Sequence, residues 1–203
     1  MDVLLQIDGD ILLFIQEHVR NDFLTPIMKT ITVISGFGGL FWIMMALTML
    51  VIKRTRKPGI CVSCSLALSG IFTNAMIKLL VDRVRPYDTI DGLTILVDRP
   101  TDSSFPSGHT SIAFAAAVAL CLSLPLIMKK TIAHRIGVLF VVLAACIALS
   151  RLYVGVHYPS DVLAGILLGI VYGLAGTAAG KRIVKKLPPR WLETAPNDRV
   201  INR

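Results

Sequence analysis

Long apolar runs separated by short polar stretches are the dominant pattern of this chain. From residue 36 onward five runs are almost free of charge, and they cover residues 36–52, 59–81, 107–128, 131–150 and 160–180. A helix needs about 20 predominantly apolar residues to cross a bilayer. The pattern therefore predicts an all-α fold, a polytopic transmembrane bundle with five spans. The first run is slightly short, but it can be extended back to residue 31.

The first 34 residues follow a different pattern. Between residues 3 and 19 apolar side chains recur at helical spacing, interrupted by charges such as Asp8, Asp10 and Glu17. This segment is too charged to cross a bilayer and predicts an amphipathic helix in the membrane interface. A second short helix, with Pro26 in its first turn, should reach about residue 34. The start lacks the features of a signal peptide, so we expect mature sequence.

We expect the chain to form a single membrane-embedded domain over residues 1–203. Its parts would be N-terminal interfacial helices (1–34), a helical core (35–180) and a basic tail (181–203). The composition agrees: 54% of residues are apolar and 17% are charged, which excludes an ordinary soluble domain. No pattern indicates an oligomeric state.

The distribution of positive charge predicts the orientation of the chain. The net charge of +8 raises the possibility of nucleic-acid binding, but fourteen of the twenty-one Lys and Arg residues lie in 53–57, in 129–135 and after residue 180. These segments lie on one side if the spans alternate, and clustered positive charge marks the cytoplasmic side. We therefore expect no nucleic-acid partner and a cytoplasmic C-terminus. The connections 82–105 and 151–159 should face the extracytoplasmic side together.

The four cysteines are Cys61, Cys64, Cys121 and Cys146, and all lie inside or at the edge of apolar runs. Cys61 and Cys64 form a C-x-x-C pair, but no second pair or nearby histidine accompanies it. We interpret them as small buried residues rather than as a metal or redox site.

The first cluster of residues that could take part in catalysis runs from Lys78 to Pro86. A lysine inside an apolar span is costly and suggests a function. Lys78 and Arg85 are two helical turns apart and should project from one side of the helix. Pro86 should move Arg85 out of helical conformation. In the structural alternative Lys78 extends to the interface and pairs with Asp82.

The second cluster is Pro106-Ser107-Gly108-His109, at the start of the third span. Ser107 is placed to cap the helix, and Gly108 lets a ligand approach the backbone. Free N–H groups at a helix start form an anion site, beside which His109 can donate a proton. The structural alternative is a capped helix start with an interfacial histidine.

The third cluster runs from Ser150 to Asp161. Arg151 can hold phosphate oxygens with its planar fork of donors. His157 can attack phosphorus when a carboxylate holds its far nitrogen, and Asp161 lies four residues on. Alternatively, His157 and Asp161 only stabilise a surface turn. Three such clusters on one side of the membrane, with three cations and two histidines, favour a phosphoryl-transfer site over the structural alternatives.

These motifs, Lys-x6-Arg-Pro, Pro-Ser-Gly-His and Ser-Arg-x5-His-x3-Asp, in this order resemble the tripartite signature of the type 2 phosphatidic acid phosphatase superfamily. All signature positions match, between residues 78 and 161. The resemblance implies that His157 attacks the phosphate and forms a phosphohistidine, that Asp161 orients it, and that His109 protonates the departing oxygen. The residues it implies for phosphate binding are Lys78, Arg85, Ser107, Gly108 and Arg151.

The resemblance also implies a lipid phosphate or diphosphate substrate, with membrane lipids around it. The extracytoplasmic orientation favours undecaprenyl diphosphate; phosphatidylglycerophosphate, phosphatidate and diacylglycerol pyrophosphate are the alternatives. No carboxylate cluster suited to magnesium occurs, so we expect no metal and no cofactor. Vanadate should inhibit. Two other classes of function remain open, a lipid phosphotransferase and a transporter or binder that holds a phosphorylated lipid without cleaving it.

Overall fold

The computed structural model describes residues 3–34 and 36–192, and all regular secondary structure within these ranges is helical. The helices are α1 Val3–Phe14, α2 Leu24–Ile34, α3 Gly36–Val51, α4 Arg56–Ser69, α5 Lys78–Val81, α6 Gly108–Ser123, α7 Lys130–Tyr153, α8 Pro159–Lys186 and α9 Pro189–Leu192. A π-helical stretch (Gly70–Ile77) joins α4 to α5, and another (Ile15–Val19) extends α1. The predicted all-α class is confirmed.

Four helical segments are long and apolar enough to cross a membrane: Lys53–Asp88, Gly108–Leu126, Lys130–Tyr153 and Pro159–Lys186. They correspond to four of the five predicted spans, and the protein is a multi-pass membrane protein. The first predicted span corresponds to α3, which is apolar but shorter. Helix α8 continues six residues past the predicted end at Gly180, so the basic segment begins on the helix.

Helix α8 packs closely on α6 and α4 because glycines line its buried face. A Cβ atom at Gly165 would lie 2.8 Å from the carbonyl oxygen of Ser107, and one at Gly176 would lie 2.4 Å from the Cα atom of Ser65. Such close approach of helix backbones is typical of membrane proteins with small residues at the interface. Cys61 is buried in the α4–α8 interface, and all four cysteines are free thiols. The packing fixes the start of α6 next to the start of α8.

The N-terminal segment packs against the long connection between α5 and α6. Leu12 of α1 lies in a small cluster with Leu93 and Tyr158. Arg20 donates hydrogen bonds to the carbonyl oxygens of Tyr153 and Thr94, both at 2.9 Å. The connection is therefore held between the N-terminal segment and the turn that joins α7 to α8.

Candidate active site

His157 lies in the turn between α7 and α8 and is only 1% exposed. Its Nδ1 atom is 2.9 Å from the carbonyl oxygen of Ser104 and 3.5 Å from Oδ2 of Asp161. A carbonyl oxygen can only accept, so Nδ1 carries the proton, and Nε2 of the neutral ring keeps a free electron pair. The carboxylate of Asp161 thus lies beside the far nitrogen, as the motif predicts. The nearer partner is the backbone carbonyl of Ser104, which no motif marks.

Asp161 is fully buried at the start of α8 and binds three other groups. Its Oδ2 atom accepts hydrogen bonds from the Ser104 hydroxyl at 2.5 Å and from the Tyr158 N–H at 2.9 Å. Its Oδ1 atom accepts one from Arg83 at 2.6 Å. Ser104 and Arg83 were missed at the sequence level, because both belong to the connection outside the matched motif positions.

The surroundings of His157 favour the neutral imidazole. Burial lowers the pKa of His157 to about 4; the hydrogen bond with Asp161 opposes this shift, and the charges of Arg151 and Arg85 reinforce it. At pH 7 the ring is therefore uncharged, the form in which its nitrogen is nucleophilic.

Arg151 projects from the last turn of α7 and is 5% exposed. Its NH1 donates to the Thr32 hydroxyl at 2.7 Å, and its Nε has no hydrogen-bond partner in the described chain. Among the described residues no carboxylate lies within ion-pair distance of it, although its charge acts on both His109 and His157. A buried charge without a counter-ion costs several kcal/mol. Such a guanidinium is suited to bind an anion.

Lys78 and Arg85 meet at the carboxylate of Asp102. Lys78 Nζ binds one carboxylate oxygen, and Arg85 NH2 binds the other at 2.7 Å. Arg85 also donates from Nε to the carbonyl oxygen of Asp102 at 2.8 Å. Burial would raise the pKa of Asp102, but the hydrogen bond and charge of Lys78, together with the charge of Arg85, lower it to about 2. Asp102 therefore stays ionised, and the 56% exposure of its side chain favours the same state.

The structure does not show the ion pair of the structural alternative, and one expectation about this cluster was wrong. Lys78 pairs with Asp102 rather than with Asp82. Helix α5 ends at Val81, because Asp82 adopts a left-handed conformation with φ of 41°. Lys78 and Arg85 therefore do not lie together because of a spacing of two turns along one helix. Arg85 is extended, as the following proline predicts.

The segment before α6 places backbone donors near these cations. Ser107 precedes the helix as predicted, but its hydroxyl hydrogen-bonds Thr110 at 2.9 Å instead of capping a backbone N–H. The first N–H groups of α6, from Gly108 and His109, have no acceptor within the helix. His109 is close enough to Arg151, His157 and Lys78 for their charges to interact. The structure thus brings all eight predicted site residues into one region.

Two cavities border the site. One has a volume of about 470 Å³ and includes Asn74, Lys78, Gly108 and His109 in its wall. The other has a volume of about 400 Å³ and includes Arg85. The residues that border both are Asp82, Thr101, Asp102 and Ser103. These shared residues, with Asp102 among them, therefore lie between the two cavities. His157 and Arg151 line neither cavity.

The described residues contain no group of three or more His, Cys, Asp or Glu side chains that could hold a metal ion. Metal independence nevertheless remains a prediction. The groups present are an imidazole, a guanidinium that has no carboxylate partner in the described part of the chain, and backbone N–H groups without an acceptor in their helix. Such groups are suited to bind and transfer a phosphoryl group.

Comparison with known proteins supports this interpretation. The family model of the PAP2 superfamily matches residues 58–185. An undecaprenyl-diphosphatase of Sulfolobus acidocaldarius is 38% identical over 128 residues, which cover 63% of this chain and 58% of that protein. A decaprenylphosphoryl-5-phosphoribose phosphatase of Mycobacterium tuberculosis is 32% identical over 139 residues, covering 68% of this chain and 71% of that protein.

A solved structure extends the similarity to most of the fold. The crystal structure of a PAP2-type phosphatidylglycerolphosphate phosphatase from Bacillus subtilis superposes with a TM-score of 0.70 and 25% identity, over 90% of this chain and 89% of that one. The chain therefore belongs to the PAP2 superfamily, the type 2 phosphatidic acid phosphatases, as the three motifs indicated.

Proposed function

We propose that this chain is an integral-membrane phosphatase of lipid phosphates or diphosphates that acts through a phosphohistidine and needs no metal or cofactor. The observation that carries the proposal is the buried guanidinium of Arg151, which has no carboxylate partner among the described residues and lies near His157. A bound phosphoryl group supplies the missing anion. Lys78, Arg85, Ser107 and the N–H of Gly108 hold its other oxygens.

The reaction has two steps. Nε2 of His157 attacks phosphorus, the bond from phosphorus to the leaving oxygen breaks, and His109 gives that oxygen a proton. Asp161 and the carbonyl of Ser104 hold the ring while it carries the phosphoryl group. In the second step His109 takes a proton from water, the resulting hydroxide attacks phosphorus, and the P–N bond breaks to release phosphate and neutral His157.

Asp102 has a specific place in this scheme. Its carboxylate binds Lys78 and Arg85, the two cations assigned to the phosphoryl group. The oxygens of a phosphoryl group can accept hydrogen bonds from the same donors, and the group carries more negative charge than a carboxylate. We expect the substrate to displace the Asp102 carboxylate from these cations when it binds.

The preferred substrate is undecaprenyl diphosphate. Support comes from the relative of that name, which is 38% identical over 128 residues. The second candidate is phosphatidylglycerophosphate, favoured by the fold similarity over 90% of the chain. Phosphatidate and diacylglycerol pyrophosphate complete the set of expected substrates.

We also propose an arrangement in the membrane. The site faces the extracytoplasmic side and the C-terminus is cytoplasmic, since positive charge clusters at the other ends of the helices. Helix α3 serves as a fifth, short span. Helix α1 lies in the interface, where its exposed apolar side chains, among them Val3, Leu4 and Phe14, contact lipid.

The test is phosphate release by the purified protein in detergent, measured with undecaprenyl diphosphate, phosphatidylglycerophosphate, phosphatidate and diacylglycerol pyrophosphate in the presence of EDTA. We expect release with EDTA present and inhibition by orthovanadate. A requirement for added magnesium would overturn the proposed mechanism, and binding of all four lipids without turnover would indicate a transporter or binder.

A radiolabelled terminal phosphate separates hydrolysis from transfer. In a phosphatase the label appears as inorganic phosphate whether or not an acceptor lipid is present. In a phosphotransferase the label moves to the acceptor lipid.

A further inference from the structure

We infer that Asp8 and Arg83 are positioning residues for the His157–Asp161 pair, which makes helix α1 part of the active site. The inference rests on the proposed function. Asp8 lies outside residues 58–185, the part of the chain that the family model covers.

Asp8 is an unusual residue for the buried side of a membrane-protein helix. It is 2% exposed, whereas Val3 and Leu4 on the same helix are 73% and 59% exposed. Its Oδ1 atom accepts the N–H of Ser160 at 2.9 Å, and its Oδ2 atom accepts the Ser160 hydroxyl. Ser160 is in the first turn of α8, where N–H groups have no acceptor within the helix. Asp8 therefore caps α8 from another helix, immediately before Asp161.

Arg83 connects Asp8 to Asp161. Its NH2 donates to Asp8 at 2.9 Å, and its NH1 donates to Oδ1 of Asp161 at 2.6 Å and to the Ser160 hydroxyl at 2.7 Å. The guanidinium also stacks 3.9 Å from the ring centre of Tyr158, the residue that follows His157. One planar cation is thus held by two carboxylates and one ring, a geometry that lysine cannot reproduce.

The arrangement determines which oxygen of Asp161 faces His157. Arg83 binds Oδ1, so Oδ2 is left for Ser104, the Tyr158 N–H and the imidazole. Loss of Arg83 or of its partner Asp8 frees the Asp161 carboxylate to turn. Asp161 then no longer holds the histidine in one orientation, although no phosphate-binding group has changed.

The charge of Arg83 also reaches His157 through Asp161. The charged and titratable groups that face His157 are Asp161 of α8, Arg151 of α7, His109 of α6 and Arg85 of the connection. Without Arg83 the negative charge of Asp161 is less compensated, which favours a protonated His157. Without Asp8, Arg83 compensates Asp161 more strongly, which has the opposite effect.

The experiment compares Asp8→Asn, Arg83→Gln and Arg83→Lys with Asp10→Asn, which removes the same charge from an exposed position of the same helix. We expect the first two variants to lose about 10- to 100-fold in kcat, by analogy with the range for groups that orient metal-bound histidines, with KM changed less than about twofold. Arg83→Lys should recover only part of the loss, and Asp10→Asn should match the parent.

The pH dependence of kcat/KM provides a second measurement. It would not change if Asp8 and Arg83 had a purely structural role. The acid limb should shift to higher pH in Arg83→Gln and to lower pH in Asp8→Asn. Titration of ¹⁵N-labelled histidine by NMR follows His157 directly, even in variants with little turnover. In the parent and in Asp10→Asn we expect the proton on Nδ1, and in the other variants a mixture of tautomers.

Equal kinetics, equal pH limbs and equal NMR titrations for Asp8→Asn and Asp10→Asn would overturn the inference. If the parent protein released no phosphate from any lipid, the proposed function would fail instead. The NMR comparison would then still decide whether Asp8 and Arg83 hold His157.

Discussion

Lys78, Arg85 and Arg151 are all buried, but Lys78 and Arg85 share the half-exposed carboxylate of Asp102 between two cavities, whereas Arg151 lies near His157 with no carboxylate partner among the described residues. All three are cations that the sequence motifs assign to one phosphate. Their surroundings nevertheless differ in two respects, the presence of a counter-ion and contact with a cavity.

This difference indicates that the two groups of cations have different roles in the reaction. Lys78 and Arg85 have an exchangeable, half-exposed partner, so they can receive a phosphoryl group while the Asp102 carboxylate withdraws into solvent at small cost. The guanidinium of Arg151 has no such partner among the described residues and is already oriented, which is the arrangement that stabilises developing charge in a transition state. We therefore expect Lys78 and Arg85 to affect binding and Arg151 and His157 to affect turnover.

The largest effect is expected from His157→Asn, which removes the nucleophile of the buried region. Phosphate release should fall by at least about 10³-fold, because the proposed phosphate-accepting group is gone. Acid-quenched protein should also lose the labelled phosphohistidine. His134→Asn, at an exposed position of α7, is the control and should keep parent activity. Parent-like turnover in His157→Asn would exclude the mechanism.

Arg151→Gln should have the next largest effect. We expect a fall in kcat of about 10²- to 10³-fold, the size that follows loss of one preorganised donor to transition-state charge. Arg151→Lys should recover part of it, since it restores the charge but not the planar fork. Arg135→Gln, exposed on the same helix, is the matched control. A change confined to KM would show that Arg151 has the same role in binding as Lys78 and Arg85.

Asp102→Asn tests the carboxylate that Lys78 and Arg85 share. Removing the competing carboxylate should tighten inhibition by orthovanadate and inorganic phosphate, on the order of tenfold, because two partly exposed ion pairs contribute up to about 1 kcal/mol each. Asp82→Asn is the control: it lines the same two cavities, and within the described residues it forms no ion pair. Weaker inhibition in Asp102→Asn would mean that Asp102 organises the cations for the substrate rather than competing with it.

The smallest effect concerns pH. The folded protein holds the pKa of His157 below its usual value, at about 4, so the neutral nucleophile is present above that pH and is lost as the pH falls through it. The acid limb of kcat/KM should therefore lie near pH 4 in the parent. In Arg151→Gln it should move up by as much as about one pH unit, since one opposing cation is gone. Protonation of the substrate affects the parent and the variant equally, so it does not contribute to the difference between their acid limbs.

The apolar runs and the motifs could be read from the sequence alone. Span positions follow from hydropathy, because a lipid environment requires a continuous apolar helix with satisfied backbone groups. The eight predicted site residues follow from the resemblance of three motifs to the family signature. The convergence of Lys78 and Arg85 was predicted for a wrong reason, since the intervening chain leaves the helix at Asp82.

The partners of the site residues could not be read in this way. Asp102 lies 24 residues from Lys78, the carbonyl of Ser104 lies 53 from His157, and Asp8 lies 75 from Arg83. No periodicity connects such positions, because they lie in irregular connections or on separate helices whose contacts depend on how α6 and α8 pack.

The sequence by itself therefore determined an all-helical membrane protein and its family, since these depend on local composition and on motif spacing, and through the family resemblance it predicted the residues that would handle a phosphoryl group. The tertiary structure decided which charges are compensated and which oxygen or nitrogen each group presents. Those properties depend on burial and on distances of a few ångströms, and both arise only when distant parts of the chain are packed together.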